Sequence, residues 1–255
     1  MAEFNTMELM LVAASRILKN GATVAVGTGA PLAASMLAQK THAPDLVIMF
    51  ESGGVAPIMK KMPVSVGDSR SYHKAVMASG LCEIMESCQR GMVDYTFLGG
   101  AQIDMYGNLN STVLGEWHKP KVRFPGSGGA NDFASFCWRV LVITPQDPKR
   151  FVEKVSFITT PGYLDGPGAR EKAGLPPKTG PYKVITDMAI LGYDEETCRM
   201  RVDSIHEGCT FVQVQQNCGF PLLKAREIVT TPAPTEKELQ VLRREVDPEG
   251  LIIGR

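Results

Sequence analysis

The chain has no surplus of either charge, since 27 lysines and arginines are matched by 27 aspartates and glutamates. A protein that tracks a phosphate backbone needs a basic face, so this balance argues against a nucleic-acid partner. No apolar run approaches the roughly 18 residues of a membrane span. The opening Met1–Thr6 lacks the basic and apolar regions of a secretory signal. We therefore expect a cytoplasmic protein with no membrane association. Metal and redox patterns are missing as well. The six cysteines, Cys82, Cys88, Cys137, Cys198, Cys209 and Cys218, form no CxxC pair and have no histidine at zinc-ligand spacing. Reduced, mostly buried thiols are the reading they support. There is no phosphate-binding G-x-x-x-x-G-K-[ST] stretch and no G-x-S-x-G elbow, and Gly126-Ser127-Gly128 is neither.

What is present is a chain of 255 residues, 44% hydrophobic and 21% charged, enough to bury a large core; one large domain or two small ones would fit, and a single domain over 1–255 is expected. Met7 offers a second start, and residues 1–6, without a pattern of their own, are set aside as a candidate vector-derived addition. Apolar periodicity predicts a helix over 7–19, with Asn5 or Thr6 as N-cap and Gly21 past its end. A strand over 22–26 then runs into Gly27-Thr28-Gly29-Ala30-Pro31, after which helical periodicity resumes over 32–40. Further strands are predicted at 46–50, 95–98, 140–144 and 155–159, and a helix at 73–90. A hairpin is read from 184–185, 188–193 and 200–204. Thr235, with Glu238 three residues on, opens a terminal helix. Five prolines and five glycines make residues 160–181 an irregular loop. Strands alternating with helices predict an α/β fold, an open and mostly parallel sheet flanked by helices, with a small hairpin-containing C-terminal part.

The strand at 46–50 ends directly on Glu51, which is followed by Ser52-Gly53-Gly54. In an open parallel sheet, ligands bind at that edge. Residue type and position leave three roles open for Glu51: ribose binding, capping and catalysis. The first follows from Gly27-Thr28-Gly29 and a spacing of roughly 20 residues to an acid. Against it, Pro31 occupies the turn, Leu32 stands at the third glycine position, and SGG replaces the expected continuation. After Gly99, two loops rich in glycine and amides, 99–110 and 126–131, are built for contact rather than core.

Three stretches taken together, Glu51-Ser52-Gly53-Gly54, then Gly100-Ala101-Gln102-Ile103-Asp104 with Tyr106-Gly107-Asn108-Leu109-Asn110, then Gly126-Ser127-Gly128-Gly129-Ala130-Asn131, resemble the B subunits of family I CoA-transferases. Val26–Gly29, Ser65–Asp68, Thr160–Gly168 and Glu245–Pro248 extend the resemblance over nearly the whole chain, closest to the glutaconate CoA-transferase type. The resemblance implies a NagB/RpiA-like fold and a carboxylate nucleophile at Glu51. That carboxylate attacks an acyl-CoA thioester, and the ensuing anhydride and glutamyl-CoA thioester relay CoA to another acid with ping-pong kinetics. It also implies amide groups of Gly128 and Gly129 stabilising the oxyanion, and Gly53 turning the chain beside Glu51.

Candidate substrate and CoA contacts are Ser52, Gly53, Gln102, Asn108 and Ser127. For Gln102, Asn108 and Asn110, holding the loop's own backbone is an equal alternative. The basic cluster His118, Lys119, Lys121 and Arg123 is read first as solvated surface and second as a contact for CoA phosphates. The expected partner is an A subunit in a hetero-oligomer, with acyl-CoA and a free carboxylic acid as substrates. Coenzyme A enters as a substrate thioester, and neither a resident cofactor nor a metal is expected. Two alternatives stay open at this point: a relative that decarboxylates or hydrolyses C–C bonds of CoA esters, and a non-catalytic CoA-ester-binding subunit.

Overall fold

The computed structural model describes residues 3–254, which gather into two compact units. One is formed by the chain up to Phe97 with the segment from Pro232 onward, the other by Leu98–Thr231. From the sequence, one domain is expected over the same span.

The first unit opens with α1 (Thr6–Ser15). Asn5 Oδ1 accepts from the Glu8 amide at 2.9 Å, and Glu8 Oε2 accepts from the Asn5 amide at 3.0 Å, a reciprocal cap that fixes where the helix starts. Residues Leu9 to Ala14 are all buried, as expected for a helix apolar on every side. Then follow β1 (Thr23–Val26), α2 (Ala30–Thr41), β2 (Val47–Phe50), β3 (Gly54–Val55), β4 (Met77–Ala78), α3 (Leu81–Gln89) and β5 (Tyr95–Leu98). β1 is paired in parallel with β2 and β5, while β3 and β4 extend the sheet antiparallel beyond β2. Val24–Val26 of β1 and Ile48–Phe50 of β2 are apolar without a break because all are buried, as in a sheet covered on both faces.

The unit is completed by α7 (Glu236–Val241) and a π turn at Leu242–Val246, both packed against α2. Arg16 grips Glu238 with two hydrogen bonds of 2.7 Å, and Arg243 grips the fully buried Glu8 at 2.6 and 2.9 Å. Two residues of the 1–6 segment take part here. Asn5 Nδ2 donates to Ile253 O at 2.8 Å, and Glu3 O accepts from Arg243 at 2.7 Å. Met1 and Ala2 lie outside the described residues.

In the second unit, β6 (Gln102–Ile103) pairs with β7 (Leu109–Asn110), and β8 (Val113–Gly115) pairs with β9 (Pro120–Arg123) as a hairpin. The remaining elements are α4 (Ala130–Phe136), β10 (Arg139–Ile143), α5 (Ala169–Lys172), β11 (Pro181–Ile185), β12 (Ala189–Tyr193), β13 (Met200–Ile205), α6 (Phe211–Gln216) and β14 (Leu223–Thr230). β10 and β11 run parallel, β11–β12–β13 form an antiparallel meander, and β14 returns parallel to β13. Its core is built from Ile103, Leu109, Phe151, Leu191, Met200 and Phe220. The α/β class and the hairpin region are as the sequence predicts.

Two elements differ from expectation. The helix predicted from residue 73 starts at Leu81, where Gly80 caps it by donating its amide to Glu83 Oε2 at 2.9 Å. The apolar Val76 and Met77 ahead of it mimic helical periodicity. They are instead exposed, and Met77 pairs with Val55 at the sheet edge. The strand predicted at 155–159 is irregular, since its polar groups serve other loops: Ser156 N donates to Gln102 Oε1, and Thr159 Oγ1 accepts from Ser111 N.

Candidate active site

Val26 on β1 is aligned with Phe50 on β2, so Gly27-Thr28-Gly29 and Glu51-Ser52-Gly53 leave adjacent parallel strands side by side at their carboxyl edge. Gly53 N donates to Phe50 O at 2.9 Å and closes a tight turn with Glu51 and Ser52 at its corners. The turn is braced from three directions. Ser52 Oγ donates to Val66 O at 2.6 Å, and the Tyr72 hydroxyl donates to Ser52 O. Ser79 gives its amide and its hydroxyl to Gly53 O at 3.0 and 3.1 Å.

Gly53 has φ +121°, and a β-carbon there would fall 2.0 Å from Ser79 O. Glycine is required at this position for both reasons. Gly27 and Gly29 are the opposite case: a β-carbon on either would meet no atom within 4 Å. That leaves space beside the half-buried Glu51 turn for a ligand.

The brace at Tyr72 has its own foundation. Tyr72 ends a 3-10 turn, Ser69–Tyr72, whose cap is Asp68. The Arg70 side chain and backbone amide hydrogen-bond Asp68 and hold its carboxyl well below the usual carboxylate range. Arg70 also reaches Met62 O at 3.0 Å. Met62, Arg70, Lys61, Val246, Asp247 and Leu251 line a cavity of about 210 Å³ next to this loop. Asp247 accepts from the amides of Leu251, Ile252 and Ile253 at 2.8–3.0 Å and so folds the C-terminal segment that forms one wall.

The other predicted site residues belong to the second unit. Gln102 Oε1 already accepts from Asn110 Nδ2 at 2.7 Å and Ser156 N at 2.9 Å. Asn108 stands among the candidate substrate contacts with support of the loop's own backbone as an equal alternative, and its surroundings favour the latter. It is 1% exposed. Its Nδ2 donates to Asp104 and to Leu164 O, while its Oδ1 accepts from Gly162 N and Leu164 N. With both polar atoms engaged and no exposed surface, Asn108 ties the 104–108 loop to the 160–164 loop.

Ser127 hydrogen-bonds Gly128 O at 2.8 Å, and Ser111 pins Gly126 from both sides at 3.0 Å. Gly128 is exposed, has φ +51°, and has no atom within 4 Å of a notional β-carbon, whereas Gly129 is buried as the N-cap of α4. His118, Lys119, Lys121 and Arg123 are exposed on or beside the β8–β9 hairpin, and Arg123 lies 4.6 Å over the Trp117 ring. That is the solvated arrangement put first for them.

The structure therefore gathers Glu51, Ser52 and Gly53 in one unit and Gln102, Asn108, Ser127, Gly128 and Gly129 in the other. Tyr72 and Ser79 were missed by sequence reasoning, because their contacts span 20 and 26 residues and follow no motif. Among the described residues, no group of three or more His, Cys, Asp or Glu could hold a metal ion, and no helix is long and apolar enough to cross a membrane.

A family model described as Coenzyme A transferase matches residues 7–217. The B subunit of the 3-oxoadipate CoA-transferase of Pseudomonas knackmussii is 42% identical over 244 residues, 95% of this chain and 94% of that protein. The B subunit of the glutaconate CoA-transferase of Acidaminococcus fermentans is 38% identical over 255 residues, 96% of this chain and 93% of that one. The crystal structure of glutaconate coenzyme A-transferase from the same organism superposes with a TM-score of 0.93 at 36% identity, covering 98% of each chain.

Proposed function

The chain belongs to the coenzyme A transferase family, and from that membership we propose that it is a B-type subunit in which Glu51 is the nucleophile. The observation that carries the assignment is the Glu51 turn: a carboxylate at the carboxyl edge of β2, braced on its C-terminal side, with open space at Gly27 and Gly29.

A carboxylate is a weak nucleophile, so the protein's contribution is to hold it in line with the thioester carbonyl. Glu51 adds to that carbonyl and expels CoA thiolate, giving a mixed anhydride. The thiolate attacks the glutamyl carbonyl, forms the enzyme thioester and releases the donor acid as its carboxylate. The acceptor carboxylate attacks the enzyme thioester, giving a new anhydride and thiolate. Attack of the thiolate on the acceptor's acyl carbonyl then yields the new acyl-CoA and restores Glu51. Open space at Gly128 supports the assignment of its amide to the oxyanion, a role for which the resemblance also names Gly129.

The acids named in the two relatives, 3-oxoadipate and glutaconate, are both dicarboxylates, and we take a short dicarboxylate as the acceptor class. Both relatives are named as B subunits, which supports a hetero-oligomer with an A subunit.

The test uses the chain co-expressed with its A subunit. Incubation with acyl-CoA, borohydride reduction and digestion should leave a reduced Glu51 in the peptide map, and Glu51→Gln should lower kcat by about 10⁴-fold or more. An unmodified Glu51 together with a fully active Glu51→Gln variant overturns the proposal.

A further inference from the structure

Resting on Glu51 as the nucleophile, we infer that Tyr72 is a positioning residue for it, acting through the carbonyl of Ser52. The Ser52–Gly53 peptide group is held at both edges. Its N–H donates to Phe50 O at 2.9 Å, and its C=O accepts from the Tyr72 hydroxyl. Rotation of that peptide is the easiest way for the turn to deform, because Gly53 at φ +121° sits in a region with little steric resistance for glycine. Phe50 is anchored by its pairing with Val26, so a flip between Ser52 and Gly53 moves Glu51 in preference to the strand.

The anchor itself is rigid. Ser71 is fully buried and donates to Asp68 O at 2.7 Å and Val66 O at 3.2 Å. A β-carbon on Gly54 would lie 2.0 Å from Ser71 O, so the 3-10 turn rests directly against the start of β3. Val66 O also takes the Ser52 hydroxyl. The loop 66–72 thus holds Ser52 by its side chain and by its carbonyl at once, and of these two bonds only the Tyr72 bond fixes the peptide plane. It also occupies a carbonyl dipole one residue from the nucleophile, which stops that dipole from turning towards the carboxylate.

Tyr72→Phe removes the donor and keeps the ring. It is compared with wild type and with Glu51→Gln, each as the complex with the A subunit. Five quantities are read: kcat, KM for acyl-CoA, KM for the acid, the single-turnover rate of borohydride-trapped Glu51 thioester, and Tm. Loss of a positioning bond predicts that kcat and the trapping rate fall together by about tenfold or more, with both KM values within about twofold and Tm unchanged. An unchanged kcat overturns the inference. So does a rise in KM alone, or a loss of folding that accounts for the lost activity, because the tyrosine is then a loop tether. If Glu51→Gln keeps full activity, the nucleophile assignment itself falls. If Glu51 is modified and essential while Tyr72→Phe is fully active, only the positioning role falls.

Discussion

Ser79 donates both its amide and its hydroxyl to the carbonyl of Gly53, at 3.0 and 3.1 Å, and comes so close that a β-carbon on Gly53 would lie 2.0 Å from the Ser79 carbonyl oxygen. Gly53→Ala therefore adds a backbone clash to a φ of +121° that L-residues rarely adopt. Relief requires the β3–β4 edge to move away from the Glu51 turn. The expected cost is about 3 kcal/mol or more in urea denaturation, with loss of Glu51 thioester trapping. Gly27→Ala is the contrast: no atom lies within 4 Å of its β-carbon, so it keeps wild-type stability and instead raises KM by filling space beside the turn. Equal stability losses in the two variants would contradict this account.

The second prediction concerns the closure of the first unit. Glu8 is fully buried and takes two hydrogen bonds from Arg243, at 2.6 and 2.9 Å, across 235 residues of sequence. Removing one member of such a pair costs more than removing both, because the remaining charge stays desolvated. Arg243→Met should cost about 3 kcal/mol in chemical denaturation. Adding Glu8→Gln to it should recover part of that loss, so that the double variant is more stable than the sum of the single effects. Additive effects would show that the pair does not couple the C-terminal segment to α1.

Much of this was legible because it is local. VIMF followed by Glu51-Ser52-Gly53 announces a buried strand ending at a tight turn, and both the strand and the turn are there. Thr235 with Glu238 marks a helix start by residue type and spacing alone and that cap forms, while of the two N-cap candidates for the first helix, Asn5 and Thr6, it is Asn5 that caps. What could not be read depends on distant partners. Nothing near Tyr72 in sequence points to the Ser52 carbonyl, and the apolar Val76 and Met77 suggest helix until β3 is known to lie beside them. Amide side chains in a glycine-rich loop fit ligand contact and backbone support equally well. Only the burial of Asn108 decides between them.

That decision is open to test. If Asn108 supports the two loops it joins, Asn108→Ala leaves the Gly162 and Leu164 amides without their acceptor and removes the side-chain donor to Asp104, whose Oδ1 keeps the backbone amides of Tyr106 and residue 108. The expected result is a stability loss of about 2 kcal/mol or more, with KM for acyl-CoA close to wild type in whatever fraction stays folded. A variant with full stability and a KM raised about tenfold or more would restore the ligand role.

The last prediction is a pH dependence. Burial pushes the Cys218 thiol from its ordinary 9.0 up to about 12. A folded-state value above the unfolded one means that the native protein holds this proton more tightly. The resulting stability is fully present below pH 9.0 and is lost progressively as pH rises towards about 12. Tyr163 and Tyr193, also raised by burial, act with the same sign. Urea midpoints should therefore fall steadily on the alkaline side of pH 9.0, and Cys218→Ala should flatten part of that slope. Thiol chemistry gives an independent readout. At pH values below that window the exposed Cys82 should react with iodoacetamide in the native protein, while buried Cys218 should react only after unfolding. Native-state alkylation of Cys218 at the rate of Cys82 would show that the thiol is neither buried nor held neutral, and the alkaline stability slope would then have to come from the two tyrosines and from the Cys198 and Cys209 thiols, which burial also raises.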